Sequence, residues 1–98
     1  MPYIRKEQRD FLDYNLHLVA RDITTCEPIS YNRPGVANYA VTKIILDSMK
    51  PIEGWGYNSL SRAIAVLRDA ANEMQRRLLN KYEDKAIKKN GDIKEFQL

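Results

Sequence analysis

The chain is short of nearly every residue type that builds a chemical site. Its 98 residues include one cysteine, one histidine and one tryptophan, with four glycines and four prolines. Cys26 alone cannot close an internal disulfide, so it fits a reducing compartment or plain apolar use. His17 stands between Leu16 and Leu18 with no second imidazole or thiol at zinc-ligand spacing, which suits a helix-surface or half-buried histidine. The parts of a hydrolytic triad are missing for the same reason. No phosphate loop of the form GxxxxGK[ST] or GxGxxG occurs. No apolar run approaches the ~20 residues of a membrane span, and the opening MPYIRKEQRDFLDY is charged where a secretory signal needs its apolar core. There is no internal repeat and no low-complexity stretch. Together these absences lead us to expect a soluble cytoplasmic protein that is not an enzyme, does not enter a membrane and uses no metal or cofactor.

What is present is charge and helical periodicity. The net charge of +3 is modest, but its placement is uneven. From Gln75 to Lys94 there are seven Lys or Arg against Glu83, Asp84 and Asp92, so this segment is +4 and the rest of the chain −1. Overlapping this segment, the helical spacing predicts a single long helix from Asn58 to Gly91. Leu60, Ile64, Leu67, Ala71, Met74, Leu78 and Tyr82 recur at steps of three and four and share one face. Ala63, Val66 and Ala70 widen that face in the first half. Asn58 or Ser59 can accept from the free N–H groups of the first turn. Lys88 and Lys89 complement the dipole at the far end, and Asn90-Gly91 suits a helix stop. A helix of this length outruns a compact domain of 98 residues, whose radius of gyration is about 13 Å. It is expected to project and to need a partner, which points to a homo-oligomer.

Upstream, Arg5 to Ile23 reads as a first helix with the stripe Leu12, Leu16, Val19 and Ile23, and with Phe11, Tyr14 and Leu18 beside it. Tyr3 and Ile4 are placed to staple its first turn. Thr24 to Gly35 reads as a long loop or irregular arm, with Pro28 and Pro34 barring a continuous helix. Val36 to Met49 reads as a second helix ended by Pro51, with Ala37, Val41, Ile44 and Ser48 on one face; β-branched AVTKII offers a strand as the alternative. Lys50 to Tyr57 is a turn-rich connector in which Trp55 caps the bundle or offers a stacking face. The fold class is therefore all-α: a single domain over residues 1–98, built as a small bundle of about three helices with a long C-terminal helix. Residues 92–98 are expected to form a flexible tail, from which Phe96 and Leu98 can dock on a neighbour.

Two groups of residues are candidate sites. Arg77, Lys81, Lys85 and Lys88 or Lys89 follow one another at helical spacing beside the apolar face, a strip able to hold phosphates or to lie solvated. Tyr31, Arg33, Tyr39, Trp55, Tyr57 and Arg62 cluster around the start of the long helix, and tyrosines and guanidinium forks of this kind stack on bases and pair with phosphates. Asp69 and Glu73 lie one turn apart, but Arg77, Arg62 and Arg76 are near enough to make them a surface ion network instead of an acid–base pair.

The segments MPYI, PGVANYAVTKII and AIAVLRDAANEMQRRLLNKYEDKAIKKNGD resemble a family of short, functionally uncharacterised proteins encoded by bacteriophages and prophages. Members open with MPYI, carry Gly-x-x-Asn-Tyr before a helix, and close with Tyr-Glu-Asp-Lys…Asn-Gly-Asp. The matching positions here are Gly35, Asn38, Tyr39, Arg76, Arg77, Tyr82 to Lys85 and Asn90 to Asp92. The chain departs at Met74-Gln75, where the family tends to have an aromatic pair, and in a longer connector around Trp55. The resemblance implies context: small phage-encoded helical oligomers without catalytic groups act by binding. The expectation is a non-catalytic host-defence antagonist holding a nucleotide-type anionic ligand at a subunit interface, with Tyr39, Tyr57, Arg62, Arg76, Arg77, Lys81, Tyr82 and Lys85 as ligand-binding residues. The alternatives are a nucleic-acid binder using the basic end, or an interaction module that inhibits a host protein.

Overall fold

The computed structural model describes residues 2–97, and Met1 and Leu98 lie outside the described residues. The chain is all-helical. Helix α1 spans Lys6–Cys26, α2 spans Arg33–Met49, and α3 (Tyr57–Met74) runs through a π-helical segment (Gln75–Leu79) into α4 (Asn80–Asn90). The last three form one continuous rod of 34 residues. No strand occurs among the described residues, so the β-branched AVTKII segment is helical. A helix of that length spans about 51 Å, matching the longest dimension of the molecule, 53 Å.

The helix ends follow local chemistry. Gln8 Oε1 accepts from the Arg5 backbone N–H at 3.2 Å, tying down the entry to α1. Ser59 does the equivalent for α3, accepting from the Gly56 N–H at 2.9 Å. The rod stops at Gly91, whose φ of +91° is the left-handed conformation that favours glycine. Its N–H donates to the Ile87 carbonyl at 2.8 Å.

The expected long loop from Thr24 to Gly35 is much shorter. Helix α1 continues to Cys26, a 3-10 turn occupies Ser30–Asn32, and α2 already begins at Arg33. Pro34 falls in the first turn of α2, where its missing N–H costs nothing, so it opens the helix instead of barring it. The Arg33 guanidinium secures the connector by donating to the carbonyls of Glu27 (2.9 Å) and Pro28 (2.7 Å).

Helix α1 packs on α2, and α2 packs on α3. The seam is thin. Ala63, at 5% exposure, is the only buried residue among those described. Leu18, Val19 and Ile23 of α1 are half-buried, whereas Phe11, Leu12, Tyr14 and Leu16 are exposed, so only the second half of the predicted α1 stripe is covered. On α2 the inner positions are Val36, Ala37, Ala40, Ile45 and Met49; the predicted Val41 and Ile44 are exposed. The displacement arises because α2 touches helices on two sides, which no single stripe describes. Trp55 is half-buried in the connector to α3.

Surface area measures how incomplete this packing is. The chain exposes 9057 Å². A compact monomer of 11.4 kDa exposes about 5,800 Å² by the scaling of surface with mass, leaving an excess of roughly 3,300 Å². The radius of gyration, 17.9 Å, exceeds the ~13 Å of a compact chain this long in the same sense.

Candidate functional site

The rod has a covered side and an open side. Ser59, Ala63 and Glu73 are at least half-buried and mark the covered side. Leu60, Ile64, Leu67, Met74, Leu78 and Tyr82 are exposed and mark the open one. The N-terminal arm contributes to the cover. Tyr3 does not staple α1; its hydroxyl donates to Glu73 Oε1 at 2.8 Å and accepts from Arg77 Nη1 at 3.4 Å. Seventy residues separate Tyr3 from Glu73, and no local signal announces the contact.

Glu73 is the electrostatic centre of this contact. Arg76, one turn on, donates to both of its carboxylate oxygens. Hydrogen bonding from Arg76 first, and from Tyr3 second, holds the Glu73 carboxyl below its ordinary value, and the same pairing raises Arg76. An ion network around Asp69 and Glu73 was expected from spacing, with Arg77 one turn beyond Glu73. Arg76 makes that ion pair, and Arg77 reaches Tyr3 instead.

Beyond the arm, a shallow apolar groove follows Ala71, Met74, Gln75, Leu78, Leu79 and Tyr82. The π segment shapes it. The Asn80 N–H donates to the Gln75 carbonyl across five residues, and the Gln75 side-chain amide donates to Asn80 Oδ1 at 2.9 Å. This wider turn delays the register, so Leu78 and Leu79 both border the groove. Periodicity of an unbroken α-helix assigns Leu78 alone to that face. The amide pair Gln75/Asn80, five apart, is the sequence trace of the wider turn.

The eight residues expected to hold a ligand fall into three groups. Tyr39 lies on α2 in an open groove of about 800 Å³ with Gly35, Asn38 and Lys43. Tyr57 and Arg62 share a second groove with Trp55 and Gly56. Arg76, Arg77, Lys81, Tyr82 and Lys85 occupy the far half of the rod. Tyr57 and Lys85 are about 42 Å apart along the axis, at ~1.5 Å per residue. A single chain therefore does not gather these residues into one site. Arg76 and Arg77 are engaged by Glu73 and Tyr3, and Arg33 by its own connector. Among the described residues, Lys81 and Lys85 have no ion pair and stand exposed beside Tyr82.

No three His, Cys, Asp or Glu side chains among the described residues group as a metal site. No helix of the described residues is long and apolar enough to cross a membrane. No curated protein and no solved structure matches the chain. Residues 1–93 match one family model, and the chain belongs to that family, described as Domain of unknown function (DUF6899).

Proposed function

We propose that this is a phage-encoded, non-catalytic binding protein that works as a homo-oligomer in the host cytoplasm. Its role is to antagonise host defence by sequestering a nucleotide-type anion where subunits meet. The observation that carries this proposal is the excess surface of roughly 3,300 Å² on an otherwise regular helical chain. An excess about four times the ~800 Å² that each partner contributes to a standard interface belongs with obligate assembly. The exposed cations Lys81 and Lys85, beside Tyr82, border the apolar side that assembly covers. Phosphates pair with such cations and bases stack on such rings.

Native mass measurement and calorimetric titration against a panel of cyclic and linear nucleotides test the two halves of the proposal. A homo-oligomer with saturable heat is the expected result. A strict monomer removes the assembly, and the absence of heat from every nucleotide removes the ligand. The exposed charge at Lys81, Lys85, Lys88 and Lys89 also supports a second reading, binding of nucleic acid. It requires an affinity that falls steeply with salt, and a gel-shift series with no shift at low salt removes it.

A further inference from the structure

We infer that two copies of the chain pair along the open sides of their long helices, antiparallel, about a two-fold axis at Ala71, and that this contact builds the anion site from both copies. This rests on the self-assembly proposed above. What is added is where the copies meet and what their contact creates.

The occupant follows from the composition of the rod. The open stripe runs from Leu60 to Tyr82, and its midpoint is Ala71, whose small side chain lets two backbones approach closely. Antiparallel pairing about that point sets Leu60 level with Tyr82 of the partner and Ile64 level with Leu78 of the partner. The stripe is thus its own complement, as a two-fold interface requires. The Tyr3 arm runs along one edge of this stripe, where Pro2 and Tyr3 line a shallow depression with Met74 and Leu78, and both stripe residues stay exposed beside it.

Charge selects the direction. Residues 75–94 carry +4, whereas 57–74 hold Arg62 and Arg68 against Asp69 and Glu73 and are neutral. Parallel pairing sets two +4 segments side by side. Antiparallel pairing sets each against a neutral one.

The split site supplies an independent check on the axis. Tyr57 and Lys85 are centred on residue 71, as are Leu60 and Tyr82. Residues that one chain holds about 42 Å apart are thereby brought level across the seam. Tyr57 of one copy comes level with Lys81, Tyr82 and Lys85 of the other, whereas Arg62, two residues from both Leu60 and Ile64, falls on the far side of the rod and stays outside the seam. Two equivalent cationic, tyrosine-lined sites result, one at each end of the pair, and neither is complete in a single chain.

Disulfide trapping tests the geometry without a ligand. In a Cys26→Ser background, Ala71→Cys is expected to link to itself under mild oxidation. A mixture of Leu60→Cys and Tyr82→Cys is expected to link the two variants to each other, with neither linking to itself, since a disulfide requires Cβ atoms within about 4.5 Å. Circular dichroism confirms the fold of each variant, and Ile64→Cys with Leu78→Cys replaces the outer pair if either member misfolds. Self-linking of Tyr82→Cys overturns the antiparallel seam. So does an unlinked Ala71→Cys in a protein that native mass shows to be oligomeric, since a different face or partner then covers the stripe. A monomer overturns both the seam and the assembly. The expected links with no nucleotide heat remove the ligand and leave the seam; nucleotide heat with parallel links does the reverse.

Discussion

Dilution is the simplest perturbation that separates an obligate oligomer from a sparse monomer. The unfolded chain of 11.4 kDa exposes about 16,500 Å², so folding to 9057 Å² hides only about 45% of it. Independent domains of 60 to 150 residues hide about 60–70%. In the proposed homo-oligomer the missing fraction comes from other copies, and stability then depends on their concentration. At ~0.7 kcal/mol per residue, two chains unfold with an enthalpy of about 140 kcal/mol near 60 °C. For a dimer that unfolds as it dissociates, each tenfold dilution then lowers the midpoint by about 4 °C. A thermal melt followed by circular dichroism over a hundredfold range is expected to shift by about 7 °C. A midpoint constant across that range, with a cooperative transition, refutes the inference drawn from surface area.

Ala63 is the one buried position among the described residues, so Ala63→Leu is expected to overpack the covered side of α3 and cost about 1–3 kcal/mol, read by denaturant melts. Gly35 lies in α2 with nothing within 4 Å of the place a Cβ would take; Gly35→Ala is expected to raise the melting midpoint by about 2–5 °C through the unfolded state, and a fall would show that another copy or a ligand approaches there. The depressed Glu73 carboxyl sets the pH response of the Tyr3 arm. Its pKa is lower folded than unfolded, so the contact contributes in full above the ordinary carboxylate value and is lost as pH falls through the lowered one. Hydrogen exchange of residues 3–5 is expected to stay constant from pH 7 to about 5 and to rise, after correction for intrinsic rates, only below about 4.5. Tyr3→Phe is expected to show that faster exchange already at pH 7, whereas equal protection in both proteins would refute a role for the hydroxyl.

Helices were legible where their causes are local. The three-and-four spacing from Leu60 to Tyr82 and the Asn90-Gly91 stop give the rod to within a residue at each end. Pro34 misled because proline both ends helices and opens them, and only the Arg33 bonds to Glu27 and Pro28 decide between the two. The inner face of α2 was only partly placed, at Ala37, because the helix packs on both the preceding and the following helix and no single stripe describes two contacts. The candidate residues were chosen by chemistry and scattered by geometry. Charge and aromaticity can be read at Tyr57 or Lys85, and the long helix expected from spacing already sets them apart, but residues chosen by chemical type carry no record of which face or neighbour they meet. Tyr3 on Glu73 had no trace at all, because a single hydrogen bond over that chain distance leaves no periodicity.

The π segment ties these threads together. An α-helix from Tyr57 to Asn90 needs no wider turn, and a wider turn has poorer backbone geometry. Here it brings Leu79 alongside Leu78 at the open groove, which in an isolated chain only enlarges the apolar surface facing water. That change is unfavourable for a monomer and favourable for a face about to be covered, by about 25 cal/mol for each Å² of apolar surface removed from water. The hydrogen bond from the Gln75 side-chain amide to Asn80 Oδ1 then fixes the wider turn in place. The segment lies just beyond Ala71, inside the open stripe and ahead of Lys81, Tyr82 and Lys85. It therefore sets the angle at which those three side chains leave the rod. If the proposed antiparallel pair forms, the register shift lies between the Ala71 axis and the cations, so straightening it is expected to disturb pairing and anion binding together, whereas loss of anion binding with pairing intact would assign the π segment to the ligand alone.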